Sequence, residues 1–375
     1  MTRVAVVTGI CVINDAISSA AISQAESLLT MPEIESVDVF AQHFDRDLDI
    51  STHEVHSSWD LVRNPVFASA DVAIFHWGIH FDLFDATIMV APEGREGRGP
   101  IPVVHFHNCT PREFVEPETY FTIDRSLQQL QLVLTLDMQC WTFSTFNEIS
   151  LADIGVPRNR IDFVPFPITA PRALRQHRRT DGIDIAVVGR IVRAKGHHVL
   201  FDALALLPQE LLDKVTVRIA GNTSFSSAAY HDELTDHVLR LGLGDVVQFI
   251  GQPDTNYLWS LYEKSHLLIS ASLHEGLCVP VIEAYIAGCR VVATSAGNLP
   301  FVVQPPDRLA APNDPGSLAK AISETAREIL ADTTVDRRSV DRLVEQFSQR
   351  SATRHLRTAL NSLLATAEQP QGSSG

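Results

Sequence analysis

The sequence predicts an α/β protein made of two doubly wound domains, each built on a parallel sheet. Short runs rich in Val and Ile alternate with helix-like stretches along the whole chain, and the alternation restarts after a polar, proline-punctuated break near its middle. The length agrees, since 375 residues exceed one domain of usual size and suit two. Runs that are apolar throughout belong to strands covered by helices on both faces, whereas strands with one solvated face would alternate polar and apolar residues.

In the first half the pattern places strands at 4–8, 37–40, 72–75, 103–105, 132–135 and 141–143, with helices such as 16–29 and 119–131 between them. The second half resumes with strands at 183–188, 215–220, 246–250, 267–271 and 290–293. The break holds Pro165, Pro167 and Pro171, the basic cluster Arg172, Arg175, His177, Arg178 and Arg179, and Gly182. The expected organisation is a first domain 1–168, a linker 169–182, a second domain 183–346, a final helix 347–367 and a low-complexity tail 368–375. The basic cluster reads as a solvated linker, with capture of an anionic lipid headgroup as the alternative.

Hydrophobic residues at 45% and charged residues at 20% leave enough apolar material for a core in each half. A formal net charge of −15 argues against holding nucleic acid or an anionic membrane through bulk charge, though not against a local basic pocket. The five cysteines form no C-x-x-C pair and sit beside apolar residues, which suits buried thiols in a reducing compartment. The N-terminus begins directly with a strand-like run, without a cleavable signal pattern, and no apolar stretch has bilayer-spanning length. The expectation is a cytoplasmic protein, with peripheral contact to the inner face of a membrane left open.

In open parallel sheets ligands bind beyond the carboxyl ends of the strands, so two such domains imply a cleft lined by those loops. Four second-half loops carry the chemistry. Gly189 and Arg190 end the opening strand, and Lys195-Gly196 follow; a glycine turn lets backbone approach a phosphate while Arg190 and Lys195 supply two cations. Ala220-Gly221-Asn222 and Phe249-Ile250-Gly251-Gln252 are further strand ends, the latter able to offer backbone groups to a base edge. The fourth loop runs from His274 through Glu275, Gly276, Leu277, Cys278 and Val279 to Glu283 and Ala284. Its two carboxylates stand eight positions apart, the second expected about two turns into a helix. Helix-start amides can receive phosphate, and the carboxylates can accept hydroxyl donors on either side. A nucleotide sugar offers that combination: a hydroxyl-rich hexose, a diphosphate and a ribose diol.

This E-x7-E stretch, with GR-x4-KG upstream and Ser295-Ala296-Gly297-Asn298-Leu299-Pro300 downstream, resembles the donor domain of the family 4 glycosyltransferases, of group 1 type. The resemblance implies the GT-B fold, with two Rossmann-like domains facing a cleft and a last helix crossing back to the first. It also implies a retaining, metal-independent hexosyltransferase that uses a nucleotide-diphosphate sugar as donor and needs no cofactor. By resemblance Glu275 contacts the transferred sugar, Glu283 the ribose, and Arg190 and Lys195 the diphosphate. The backbone of Leu277, Cys278 and Val279 lies near sugar and phosphates, with Gly189, Gly221, Gly251 and Gly276 in the donor loops. Two departures stand out: Cys278 where many members carry glycine, and Phe301 where an acidic residue is common.

The first half supplies His105-Phe106-His107-Asn108-Cys109-Thr110-Pro111 after a strand. His107 matches the family's histidine by its spacing from Pro102, which implies contact with the donor sugar near the reacting centre. Together with Arg190, Lys195 and Glu275 it forms the expected catalytic set. The HN-x-TP string, Asp15-Ala16-Ile17-Ser18 and Ser144-x-Phe146-Asn147 resemble one subgroup of these enzymes, and Phe347-Ser348 opens the last helix. Gly9, Asp15, His76 and Asn108 are the acceptor-side candidates, for a sugar-containing or lipid-linked acceptor. No metal site is expected: Asp45-Arg46-Asp47 reads as a solvated loop, and His76 and His80 flank Trp77-Gly78 in a cleft-lining loop rather than on a helix. The rivals are a nucleotide-free phosphorylase or nucleotide-sugar epimerase on the same fold, and a silent nucleotide-sugar-binding partner subunit.

Overall fold

A computed structural model describes residues 1–13, 15–45, 47–90, 99–175, 178–222 and 228–368. The tail 369–375, His177 of the basic cluster and Arg46 of the D-x-D stretch lie outside the described residues. The chain divides into two compact units. Unit 1 comprises Met1–Cys109, Glu118–Pro167 and the chain from Phe347 onward, and unit 2 comprises Thr110–Pro117 and Ile168–Gln346.

Unit 1 is built on a sheet of seven strands: β1 (Thr2–Val7), β2 (Ile34–Ala41), β3 (Ser51–Glu54), β4 (Val72–Trp77), β5 (Ile101–Phe106), β6 (Gln139–Thr142) and β7 (Ile161–Phe163). Their order is β3-β2-β1-β4-β5-β6-β7, every neighbouring pair parallel. Unit 2 carries six more: β8 (Ile183–Val188), β9 (Val215–Ala220), β10 (Val247–Gly251), β11 (Leu267–Ser270), β12 (Arg290–Thr294) and β13 (Arg308–Ala310). Their order is β10-β9-β8-β11-β12-β13, again all parallel. The order reverses between β1 and β4 and between β8 and β11. Loops leaving those carboxyl ends run in opposite directions, and such switch points are where open parallel sheets bind ligands.

The local causes are visible in the residues. Every residue of β4 is buried, as a strand covered on both faces must be. The helix Ala16–Leu29 buries Ser18, Ala21, Ala25 and Leu28, a spacing of three and four that forms one face, and its alanines allow close approach to the sheet. The last helix, Gln349–Glu368, follows Ser348, whose hydroxyl accepts from the Ser351 amide at 3.2 Å. Its Leu356, Ala359 and Leu360 join the core formed by Val4, Ala21 and Leu28. Arg357 pairs with Glu33, and Gln349 donates to the Ser27 hydroxyl at 3.1 Å. The final helix thus returns to unit 1, as the sequence predicts.

Three expectations need correction. Residues 132–135 are not a strand but the end of the helix Tyr120–Thr135. Its buried Ile123, Ser126, Leu130 and Val133 follow helical spacing, which overrides the short apolar run at the end. Next, His76 does not lie in a loop. It is part of β4 and 1% exposed.

Finally, the basic cluster is not simply a solvated linker. The Arg172 guanidinium grips Glu263 at 2.8 and 2.6 Å, and Arg178 donates to the carbonyls of Ser265 at 2.7 Å and Ala287 at 3.0 Å. Arg179 pairs with Asp184 at 3.2 Å. These cations fasten the segment to unit 2, and Arg178 places positive charge at the carboxyl end of the helix Val279–Ile286.

Candidate functional site

In unit 2, loops from β8, β11 and β12 converge on Glu275. Lys195 ends the short turn Arg193–Lys195 after β8, and its Nζ donates to Glu275 Oε1 at 2.6 Å. The Ser272 hydroxyl donates to the same oxygen at 2.7 Å. The next residue, Gly196, adopts φ 63° and leads into the helix His197–Ala205. A Cβ there would sit 2.0 Å from the Ala271 carbonyl oxygen, so only glycine lets the β8 loop lie against the β11 loop. From the other side Gly297, at φ 53°, packs so closely that a Cβ would stand 2.3 Å from the Glu275 carbonyl oxygen. The Asn298 amide donates to that oxygen at 2.9 Å. The Glu275 side chain is therefore fixed from β8 and its backbone from β12.

Glu275 is 7% exposed. Burial alone would raise its pKa, but the Lys195 ammonium and the hydrogen bonds from Lys195 and Ser272 outweigh that and hold it below the ordinary value. The result is a buried, ionised carboxylate with one oxygen engaged. Lys195 retains two further N–H donors for an anion.

The helix Val279–Ile286 starts at Cys278, which adopts a left-handed conformation at φ 67° and ψ 66°. Its thiol is buried, which raises its pKa and keeps it protonated. Glu283 is the fifth residue of this helix, just over one turn in rather than the two expected. It is half-buried and accepts from the Tyr262 hydroxyl at 2.8 Å. Burial lifts its pKa to about 6, against the opposing effect of the Tyr262 hydrogen bond. Gly189, Gly221 and Gly251 sit side by side at the ends of β8, β9 and β10, where the Gly189 amide donates to Ala220 at 3.0 Å and the Gly221 amide to Gly251 at 2.8 Å. Arg190 follows on the exposed surface, and Gly276 and Leu277 lie between Glu275 and the helix. Residues Thr110–Pro117 also pack here: Phe114 stacks on His274 with ring centroids 6.3 Å apart, and Arg193 bridges Glu116 and Glu233 at 2.8 and 2.9 Å.

In unit 1, His107 follows β5 and is half-buried. Its Nε2 lies 2.9 Å from His76 Nδ1, and His76 Nε2 lies 2.8 Å from Gln24 Oε1. Burial depresses the pKa of both histidines well below the ordinary value, so both are neutral. Asn108, at φ 74°, spends its amide on structure: Nδ2 donates to Asn147 at 2.9 Å, and Oδ1 accepts from the Cys109 amide at 2.8 Å. Ser144 caps the helix Thr145–Asp153, and Asn147 donates to the Phe106 carbonyl at 3.1 Å, which accounts physically for the Ser144-x-Phe146-Asn147 string. Asp15 caps the helix Ala16–Leu29, accepting from the Ser18 amide at 2.7 Å. Gly9 lies in the loop after β1, against Phe81. Asp45 accepts from the Ile13 amide at 2.9 Å, holding the same loop. Among the described residues no three His, Cys, Asp or Glu side chains gather as a metal-binding group.

The structure thus joins Lys195, Glu275 and the loops of Gly196 and Gly297 in unit 2, and His76 and His107 in unit 1. Sequence reasoning missed Ser272, Tyr262 and Gln24. Ser272 sits three residues before Glu275 and was within reach of inspection. Tyr262 and Gln24 carry no local signal, because their partners are 21 and 52 positions away.

Residues 172–334 match the model of the family described as glycosyl transferases group 1, and unit 2 belongs to that family. The resemblance drawn from the motifs is borne out there. Among curated relatives, the D-inositol 3-phosphate glycosyltransferase of Corynebacterium kroppenstedtii is 28% identical over 203 residues, which cover 52% of this chain and 45% of that protein. The chain therefore spans less than half the length of this relative. The architecture is shared more widely. Sucrose-phosphate synthase from Thermosynechococcus elongatus superposes with a TM-score of 0.74 at 17% identity, covering 98% of this chain and 100% of that one. Anabaena HepE, solved with UDP and glucose, gives 0.71 at 17% identity over 96% of this chain and 100% of its own. The two-unit α/β fold is that of the GT-B glycosyltransferases.

Proposed function

We propose that the protein is a retaining, metal-independent glycosyltransferase that moves a hexose-type sugar from a nucleoside diphosphate sugar to an acceptor hydroxyl. The observation that carries this reading is the buried Lys195–Glu275 pair, held between glycines whose side chains would collide with neighbouring backbone. An ionised carboxylate there accepts sugar hydroxyls, and an adjacent ammonium with spare donors meets the diphosphate. Arg190 adds a second cation as the diphosphate departs. Leaving-group stabilisation by preorganised charge is then the main catalytic contribution, and no side chain is needed as a covalent nucleophile. Glu283, opposite Tyr262 in the following helix, takes the ribose diol. His107 contacts the sugar from unit 1.

HepE has been solved with UDP-glucose, which makes that donor the first to test. D-Inositol 3-phosphate, from the name of the curated relative, is the first acceptor. Nucleotide sugars are screened by thermal shift, since a ligand that binds only the folded protein raises its midpoint with occupancy. Transfer is then followed by release of the nucleoside diphosphate and by the anomeric configuration of the product. Binding of one nucleotide sugar, transfer with retention, and insensitivity to chelator support the proposal. An inverted product would overturn it, as would glycoside cleavage by phosphate without nucleotide.

A further inference from the structure

Behind His107 lies a chain of side chains that the proposed reaction does not use. His107 Nε2 meets His76 Nδ1 at 2.9 Å, His76 Nε2 meets Gln24 Oε1 at 2.8 Å, and Gln24 Nε2 meets His105 Nδ1 at 3.1 Å. Gln24 is 2% exposed, His76 1% and His105 0%. A primary amide in the interior of the helix Ala16–Leu29 thus sits beneath two strand-borne histidines, in a helix that also buries Ala20, Ala21, Ser27 and Leu28.

The direction of each hydrogen bond follows from the Gln24 amide, whose oxygen can only accept and whose NH2 can only donate. The NH2 faces His105 Nδ1 at 3.1 Å, so that nitrogen is a bare acceptor. The amide oxygen faces His76 Nε2 at 2.8 Å. A neutral His76 must donate from Nε2 to that oxygen, which leaves its Nδ1 as an acceptor. The proton between His76 and His107 then belongs to His107 Nε2. Each link fixes the next, because a neutral imidazole has one donor and one acceptor. The opposite amide orientation would reverse every bond, so the tautomers report the orientation.

We propose that Gln24 is a positioning residue which, through His76, locks the His107 imidazole in the Nε2–H form, so that His107 presents Nδ1 to the substrate as a hydrogen-bond acceptor only. This rests on the reading that His107 faces a sugar, and it specifies what that histidine can select. A hydroxyl, which can donate, is accepted. A carboxylate or phosphate oxygen meets a lone pair and is disfavoured. His76 and Gln24 touch no substrate; they set the tautomer of the residue that does.

The test reads tautomers directly. Long-range proton–nitrogen correlation spectra of protein labelled with nitrogen-15 at its 15 histidines distinguish a bare ring nitrogen from a protonated one. The His107 signals are assigned by their loss in His107→Gln. The expected result in the unaltered protein is a bare Nδ1 and a protonated Nε2 for both His107 and His76. A protonated Nδ1 on His107 would overturn the inference without any variant. Gln24→Glu keeps an acceptor for His76 and should preserve the His107 pattern, while Gln24→Met removes it and should give mixed tautomers. With an active donor and acceptor pair, Gln24→Met should lower kcat/KM roughly tenfold to hundredfold, and Gln24→Glu should restore most of it. A His107 pattern unchanged in Gln24→Met would sink the relay. If the tautomers behave as stated but His107→Gln leaves transfer intact, the relay stands and the role of His107 in transfer falls.

Discussion

Lys195 and Glu275, 80 positions apart, meet at 2.6 Å in a site where the carboxylate is almost wholly buried. The pair serves two purposes at once: it prepares a cation for an anionic ligand and neutralises a charge that could not otherwise stay ionised there.

Replacing Lys195 by Ala should therefore harm folding as well as turnover. It strands a buried carboxylate, a loss of up to about 3–5 kcal/mol for a broken buried pair. Lys195→Ala combined with Glu275→Gln should recover most of the denaturation midpoint while turnover stays depressed. A double variant no more stable than Lys195→Ala alone would show that the pair is not electrostatically coupled.

Glu283 makes an unusual pH contribution. Its folded pKa, about 6, lies above the ordinary carboxyl value, so the folded state binds this proton more tightly than the unfolded one. Stability from this group is then greatest at low pH and is lost as pH rises through about 6. Glu283→Gln should raise the thermal midpoint relative to the unaltered protein at pH 7–8, with the gain fading towards pH 4.5. The same variant should bind nucleoside diphosphate less tightly by calorimetry at pH 7.5, and this deficit should shrink as pH falls below about 6 and the native carboxyl protonates.

Glycine substitutions separate crowding from backbone conformation. Gly297 and Gly251 share left-handed φ values of 53° and 67°, but a Cβ at Gly297 would meet Glu275 backbone at 2.3 Å whereas one at Gly251 meets nothing within 4 Å. Gly251→Ala should cost about 1–2 kcal/mol, the conformational penalty alone. Gly297→Ala should cost more in urea unfolding and should also reduce turnover, since Glu275 must move.

Leu356 is 2% exposed and tied into the core of unit 1. Leu356→Ala should destabilise that unit by about 2–5 kcal/mol. Hydrogen exchange should locate the lost protection in β1, β2 and the helix Ala16–Leu29, with unit 2 unaffected.

Much of this was legible in the residues. Strands β8 and β9 and the helix Ala16–Leu29 have the bounds that periodicity assigned, because a buried parallel strand or a one-faced helix imposes its spacing on consecutive residues. The strand expected at 132–135 failed because four apolar-rich residues fit either period, and the buried face of the preceding helix decided the matter. The short edge strands β3, β7 and β13 went unseen, since three or four residues at a sheet edge carry no run to detect.

At the site, Glu275, Glu283, Lys195 and His107 were named from motif spacing, a local property of the chain. Their environments were not. That Lys195 pairs with Glu275, that Tyr262 donates to Glu283, and that Gln24 lies under His76 depend on which elements each sheet brings together. Ionisation state and tautomer are set by neighbours across the fold, at separations of 21 to 81 positions, so only the tertiary structure could decide them.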